Sequence, residues 1–287
     1  MSEHARQQGV ALISVLLITA LVTLIISDML ARQRLSLASS ANQLHQQQLW
    51  QLALSGEALA RQHLHDELGK REEPLRVHLG QGWARDQALE LDGGLVRIRV
   101  EDLAGRFDLD TLRSNNGPAR ARYQRLLNLL DLPPHDPARL PSRPGHDGKP
   151  QPLADSSELL RLEPLGGADL QRLHPFVATL GGSVLNLNTA SAEQLAALEG
   201  LDPGIARTLV QGRPAQGYAS VQAFVELPLL QGRELNSRGL GVDSRHFRVH
   251  LAAELGERRL YLASDLRLEA DGTLAVLRRQ LLAPTQL

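Results

Sequence analysis

The sequence predicts an α+β protein: one very long N-terminal helix, antiparallel strands in two separated stretches, and a large all-helical segment inserted between them. Three observations carry this. An uncharged apolar run near the start passes without a break into an amphipathic helical pattern. Apolar and polar residues alternate in residues 89–100 and again only after Phe247. Between about residues 118 and 230 the pattern is helical. The 287 residues, 43% apolar and 22% charged, are enough for two compact domains with real cores.

The apolar run, residues 10–26, reads VALISVLLITALVTLII, seventeen residues with no charge. As a helix it spans roughly 25 Å, close to the apolar thickness of a bilayer at about 30 Å. A secretory signal carries its small-residue cleavage site after such a run. Here the small residue, Gly9, stands in front of it, behind the polar octapeptide MSEHARQQ. A cut after Gly9 would leave the apolar helix on the mature chain, with Val10 first.

Past Ile26 the helix continues. Leu30, Leu37 and Leu44 recur at sevens, followed by Leu52 and Leu59, with Ala41, Ala53 and Ala60 between them. The outer half is expected to pack on a domain and the inner half to stay bare. The helix should end at Leu68, where Gly69 serves as C-cap and Pro74 prevents continuation. Gly56, an interior glycine, reads as a place to bend.

Residues 89–100 form a hairpin around Asp92, Gly93 and Gly94, with Val96, Ile98 and Val100 on one face and Arg97, Arg99 and Glu101 on the other. Strands are expected again at 247–251, 258–268 and 274–282, the last two joined by the turn Ala270-Asp271-Gly272-Thr273. Between these stretches lie helices at 119–130, 155–162 and 167–173. The loop over 133–152 holds seven of the fifteen prolines and is expected to be exposed. The sharpest local motif is Leu185-Asn186-Leu187-Asn188-Thr189-Ala190, then a helix capped by Ser191, a Gly-containing turn at 199–204 and a second helix at 205–210. This resembles a helix-hairpin-helix unit, with residues 218–227 as a further packed helix.

Composition excludes several classes of function. With no cysteine there is no disulfide framework and no thiolate chemistry. The 31 basic and 32 acidic residues nearly cancel. Helix hairpins often hold DNA phosphates, but residues 184–232 carry four acids (Glu193, Glu199, Asp202, Glu226) against two bases (Arg207, Arg213), the wrong balance for phosphate. No nucleic acid is expected as partner. No GxSxG, GxGxxG, P-loop or HExxH motif occurs, so no enzyme is expected. The pairs His63/His65 and His246/His250 read as exposed or locally bonded. Asp102, Asp108 and Asp110 are spaced as in a calcium loop, a weak pattern by itself.

The leader, with Gly9 ahead of a retained apolar helix, resembles that of type IV pilins and type II secretion pseudopilins. That resemblance implies cleavage after Gly9 by a prepilin peptidase and N-methylation of Val10. Most members carry a glutamate at the fifth mature position; here it is Ser14. A buried carboxylate without a partner is costly, so its absence suits a tip subunit with no preceding neighbour. In this and in its length the chain resembles the minor pseudopilins of the general secretion pathway protein K family. The resemblance implies a pilin-like sheet with a helical insertion, reached through the segment 100–110. It also implies a single-pass protein of the bacterial inner membrane with a periplasmic soluble part. The partners implied are minor pseudopilins I and J, the major pseudopilin and the inner-membrane assembly platform.

The expected division is a leader at 1–9, an anchor helix at 10–68, a pilin-like sheet at 69–111 and 233–287, and the inserted helical domain at 112–232. Protein K relatives hold calcium near an acidic loop. The matching stretch here is the proline-rich loop, with only Asp136, Asp147 and Asp155, so no cofactor is expected and calcium is the one candidate. The rival reading is a membrane-tethered DNA receptor of a competence system.

Overall fold

The computed structural model describes residues 3–69, 75–91, 93–113, 116–140 and 151–283, and the side chains of residues 3–13 are not among what it describes. Pro74, Asp92, Asp147 and the loop centre at 141–150, all singled out above, lie outside the described residues. The chain divides into two compact units, Met1–Leu52 and Ala53–Leu287.

Helix α1 runs from Glu3 to Leu68, where Gly69 N–H closes the last turn on His65 O at 2.8 Å. In the first unit all nine large apolar side chains from Val15 to Ile26 are 46–69% exposed. The helix is long and apolar enough to cross a membrane. Its polar side chains suit that solvent: Thr19 Oγ1 donates to Leu16 O at 2.9 Å and Thr23 Oγ1 to Thr19 O at 2.7 Å, so neither hydroxyl depends on water. Among the described residues the first ion pair, Asp28 with Arg32 at 2.9 Å, comes only after Ile26. Leu30, Leu37 and Leu44 are exposed as well.

In the second unit the rear of α1 buries Ala53, Gly56, Glu57, Ala60, Leu64 and Leu68, a stripe at helical spacing. The strands are β1 (Gln87–Leu91), β2 (Gly94–Asp102), β3 (Phe107–Asp108), β4 (Val177–Ala178), β5 (Leu185–Asn186), β6 (Leu240–Gly241), β7 (His246–Leu255), β8 (Arg258–Leu268) and β9 (Leu274–Leu281). Five form one antiparallel sheet in the order β1-β2-β7-β8-β9. Val96, Ile98, Val249, Leu251 and Leu262 line its apolar face. A Cβ on Gly56 would lie 2.6 Å from Val96 Cγ1 and 2.9 Å from Leu251 Cδ2. Close contact with the sheet, not a bend, is therefore the reason for glycine there.

The segment between β2 and β7 holds α2 (Gly117–Leu129), α3 (Gly167–Leu173), α4 (Ala192–Ala196), α5 (Pro203–Gln211) and α6 (Val221–Val225). Its described residues form two apolar cores. One gathers Phe107, Tyr123, Leu126, Leu159 and Leu173, the other Leu187, Leu195, Leu209, Tyr218 and Phe224.

Three expectations are corrected. The insertion is not all helical: β3 pairs with β4 and β5 with β6, both parallel. Two-residue strands are too short to leave an alternation in sequence. The segment 155–162 forms a 3₁₀ turn, Ser156–Arg161, capped by Asp155. The described flanks of the proline-rich loop are not wholly exposed. His135, Pro137, Leu140 and Leu153 are buried, because Tyr123 Oη meets His135 Nε2 at 2.7 Å and the leucines complete the first core.

Gly56→Ala gains about 1 kcal/mol in helix propensity but forces a methyl into branched side chains, an overpacking cost of about 1–3 kcal/mol. The expected net result is a lower melting temperature, by about 2–4 °C, in thermal unfolding followed by circular dichroism.

Candidate functional site

Gly9 and Val10, the expected processing site, lie within helix α1, and their side chains are outside the described residues. Ser14 is exposed on the same helix. The structure places all three positions in the unit Met1–Leu52. What it does bring together is the segment 100–110, expected only as the way into the insertion.

Asp102 ends β2 and caps the following 3₁₀ turn by accepting from Ala104 N at 2.9 Å. Its other oxygen accepts from Asn186 Nδ2 at 2.7 Å and Thr189 Oγ1 at 2.6 Å. Burial pushes this carboxyl up, against the bonds from Ser244, Thr189, Asn186 and the Ala104 amide. Asn186 Nδ2 also donates to Val77 O at 3.1 Å, and its Oδ1 accepts from Asn188 N at 3.0 Å. Gly105 sits against Thr189, where a Cβ would be 2.8 Å from Oγ1. The sheet is thus stitched to the hairpin motif through buried polar groups.

Asp108 makes a second joint. One oxygen accepts from Asp110 N at 3.1 Å and Leu180 N at 3.0 Å, the other from Gly182 N at 2.7 Å and Ser183 N at 2.6 Å. Asp110 accepts from Leu153 N at 2.8 Å and Gly181 N at 3.0 Å. Burial pushes Asp108 up to about 6, with the amides opposing.

Calcium does not fit this set. Every oxygen of Asp102, Asp108 and Asp110 named above faces N–H or O–H donors, whereas a cation needs lone pairs converging on one point. Asp136 caps residues 137–139 and Asp155 pairs with Arg278. Among the described residues no group of three or more His, Asp or Glu is placed to hold a metal.

Beside Asp102, Glu101 takes Arg106 in a two-pronged pair at 2.7 Å on each oxygen, and His250 Nε2 at 3.2 Å. Burial would raise its carboxyl, but His250 and Arg106 outweigh it and hold it at about 2. His63 and His65 are exposed, and their bonds are not local but cross the fold, to Gln87 and Gly272 O. His246 differs: its buried Nδ1 has no hydrogen-bond partner among the described residues, and burial with Arg267 and Arg245 lowers it to about 4.

In the hairpin motif the Asp202 carboxylate accepts from Gly204 N at 2.9 Å and Ile205 N at 3.0 Å. The amides that could meet a phosphate are held by the chain's own acid. Arg213 is turned inward onto Asn188 O and Ala190 O, which leaves Arg207 as the exposed base of the hairpin. The signal for the stitched joints was present in sequence as Leu-Asn-Leu-Asn, an alternation whose asparagines point inward. Asn186 and Asn188 are both fully buried.

A bare apolar helix whose rear is folded into an antiparallel sheet defines a class, the helix-anchored subunit of pilin type. Comparison with known proteins narrows it. Residues 185–243 match the family profile described as "Type II secretion system (T2SS), protein K". Type II secretion system protein K of Pseudomonas aeruginosa is 36% identical, over 96% of this chain and 93% of that protein. The proteins of the same name from Klebsiella pneumoniae and Aeromonas hydrophila are each 28% identical over 96% of this chain. Among solved structures, a chain of the GspK-GspI-GspJ complex from enterotoxigenic Escherichia coli shares the fold, with TM-score 0.69 and 24% identity over 85% of this chain and 99% of that one. The chain belongs to the type II secretion system protein K family.

Asp102→Ala would leave one N–H of Asn186 Nδ2, the Thr189 hydroxyl and the Ala104 amide without the carboxylate that accepts from them. A loss of about 3 kcal/mol is expected, seen as a fall in melting temperature of about 6–12 °C. Glu101 has its folded pKa below its ordinary 4.5, so its contribution is present above pH 4.5 and is lost as pH falls toward 2. The stability gap between wild type and Glu101→Gln should therefore be widest at neutral pH. Denaturant titrations at pH 7, 4 and 3 should show it narrowing.

Proposed function

We propose that this protein is a minor pseudopilin at the tip of the type II secretion pseudopilus, with an assembly role in protein export across the outer membrane and no catalysis of its own. The observation that carries the reading is the 36% identity to a protein K along nearly the whole of both chains. The bare front of α1 supports it, since nine exposed apolar side chains need lipid or similar helices around them. In this reading α1 spans the bacterial inner membrane once and the unit from Ala53 onward lies in the periplasm. The major pseudopilin and the inner-membrane assembly platform meet the bare helix. Minor pseudopilins I and J are the direct partners, as the solved complex of protein K with I and J suggests.

Gly9 and Val10 are then substrates: the peptide bond between them is cut by prepilin peptidase and the amine of Val10 is methylated. Ser14, in place of glutamate, fits a subunit with no neighbour above it. We also propose the division into a pilin-like sheet at 69–111 and 233–287 and a helical insertion at 112–232. The reading needs no cofactor, because the acids nearest a calcium pattern are taken by amides and arginines. The tethered DNA receptor draws no support from the protein K relatives, and Asp202 closes off the hairpin amides.

Intact mass of the purified chain, from cells with and without prepilin peptidase, tests the reading. Loss of residues 1–9 and gain of one methyl group is expected only where the peptidase is present. The same full-length mass in both strains would overturn the reading.

A further inference from the structure

Strand β9 lies at one edge of the sheet, and its consecutive residues Arg278 and Arg279 go to opposite faces. On the inner face Arg279 grips Glu57 of α1 with two bonds of 2.7 Å, and Ser264 Oγ donates to the same carboxylate at 2.6 Å. The helix holds the start of the strand as well: Arg61 Nη2 donates to Leu274 O at 2.8 Å, and His65 Nδ1 lies 2.8 Å from Gly272 O. On the outer face Arg278 pairs with Asp265 at 2.9 Å and with Asp155, the cap of the 156–161 turn in the insertion. Asp265 is in turn held by Arg248 at 2.6 Å.

A bulge makes this arrangement. Leu266 pairs with Val276, yet Asp265 pairs with Arg278, so Leu277 is an extra residue. In an unbroken ladder Leu277 would oppose Asp265, and Arg278 would lie inward opposite Ser264. The extra residue re-aims the pair, a known use of bulges.

We propose that β9 is a coupling strand, in which Arg279 and Arg278 are positioning residues that tie the rear of α1 to the 155–161 segment of the insertion. A disturbance of the helix grip then reaches the insertion through one strand, although Glu57 and Asp155 do not touch. The inference stands on these contacts and does not depend on the secretion role.

Hydrogen exchange on the full chain in detergent, read by mass spectrometry, tests it. Glu57→Gln is expected to raise exchange roughly fivefold or more in β9 and also in residues 156–161. Asp155→Asn is expected to raise it in 156–161, and the double variant to exceed the larger single effect only slightly. Arg99→Gln, which breaks the exposed Arg99–Asp86 pair on the same sheet, should leave 156–161 unchanged. Should Glu57→Gln fail to fold, Arg279→Lys keeps the charge without the two-pronged grip and should give the same pattern at lower amplitude. Exchange in 156–161 unmoved by the Glu57 or Arg279 change, effects that multiply in the double variant, or an equal response to Arg99→Gln would each overturn the coupling.

Discussion

The unit from Ala53 onward depends on the burial of carboxylates that are fully answered by donors. Glu57, Asp102 and Asp108 are each at most 4% exposed. An unanswered charge in such a place costs several kcal/mol, so each must be met by hydrogen bonds in fixed directions. Glu57 is met by an arginine and a serine, Asp102 by an amide and three side chains, Asp108 by four amides. These are also the junctions of the fold. Glu57 joins helix to sheet, Asp102 joins sheet to insertion, and Asp108 ties the entry of the insertion to its 180–183 segment. Pairs of this kind add little net stability over apolar packing, but they tolerate few alternative alignments. Their contribution is to orient the parts.

The helix at the front works under a different constraint. One continuous run of hydrogen-bonded turns serves two environments, and the change is written in side chains. Before Ile26 the hydroxyls of Thr19 and Thr23 are satisfied on the helix itself. From Asp28 onward charge returns, and from Ala53 the buried stripe carries small residues and one acid so that the sheet can approach closely. This division of labour is what membership of the protein K family requires of an anchored subunit: an apolar front for assembly and a rear that belongs to a folded domain.

Much of this was legible in the residues. Strands 258–268 and 274–282 follow from alternation, the second ending one residue earlier in the structure, and the helix end at Leu68 from Gly69 beside the loss of pattern. The capping residues Ser191 and Asp155 were also readable. The rest escaped for physical reasons. A two-residue ladder such as β3 with β4 has no period to detect. Glu57 reads as surface until its partner, 222 positions later, is known to lie beneath it. Asp102, Asp108 and Asp110 look like cation ligands, because a carboxylate facing amides and one facing a metal share the same spacing. Only the direction of the donors separates them. His135 was hidden in a proline-rich loop whose composition suggested solvent, while the hydrogen bond to Tyr123 drew it inward.

The register of β2 against β7 pairs Asp102 with Phe247. The whole excursion from Leu103 to Arg245 therefore leaves and rejoins the sheet at facing positions. It hangs from the strands like a pendant on two adjacent links. The ladder has already brought the ends of that loop together, so lengthening or trimming the pendant changes the closure entropy only slowly. A sheet built this way can gain or shed an entire lobe between one descendant and the next while its own strand order stays as it was.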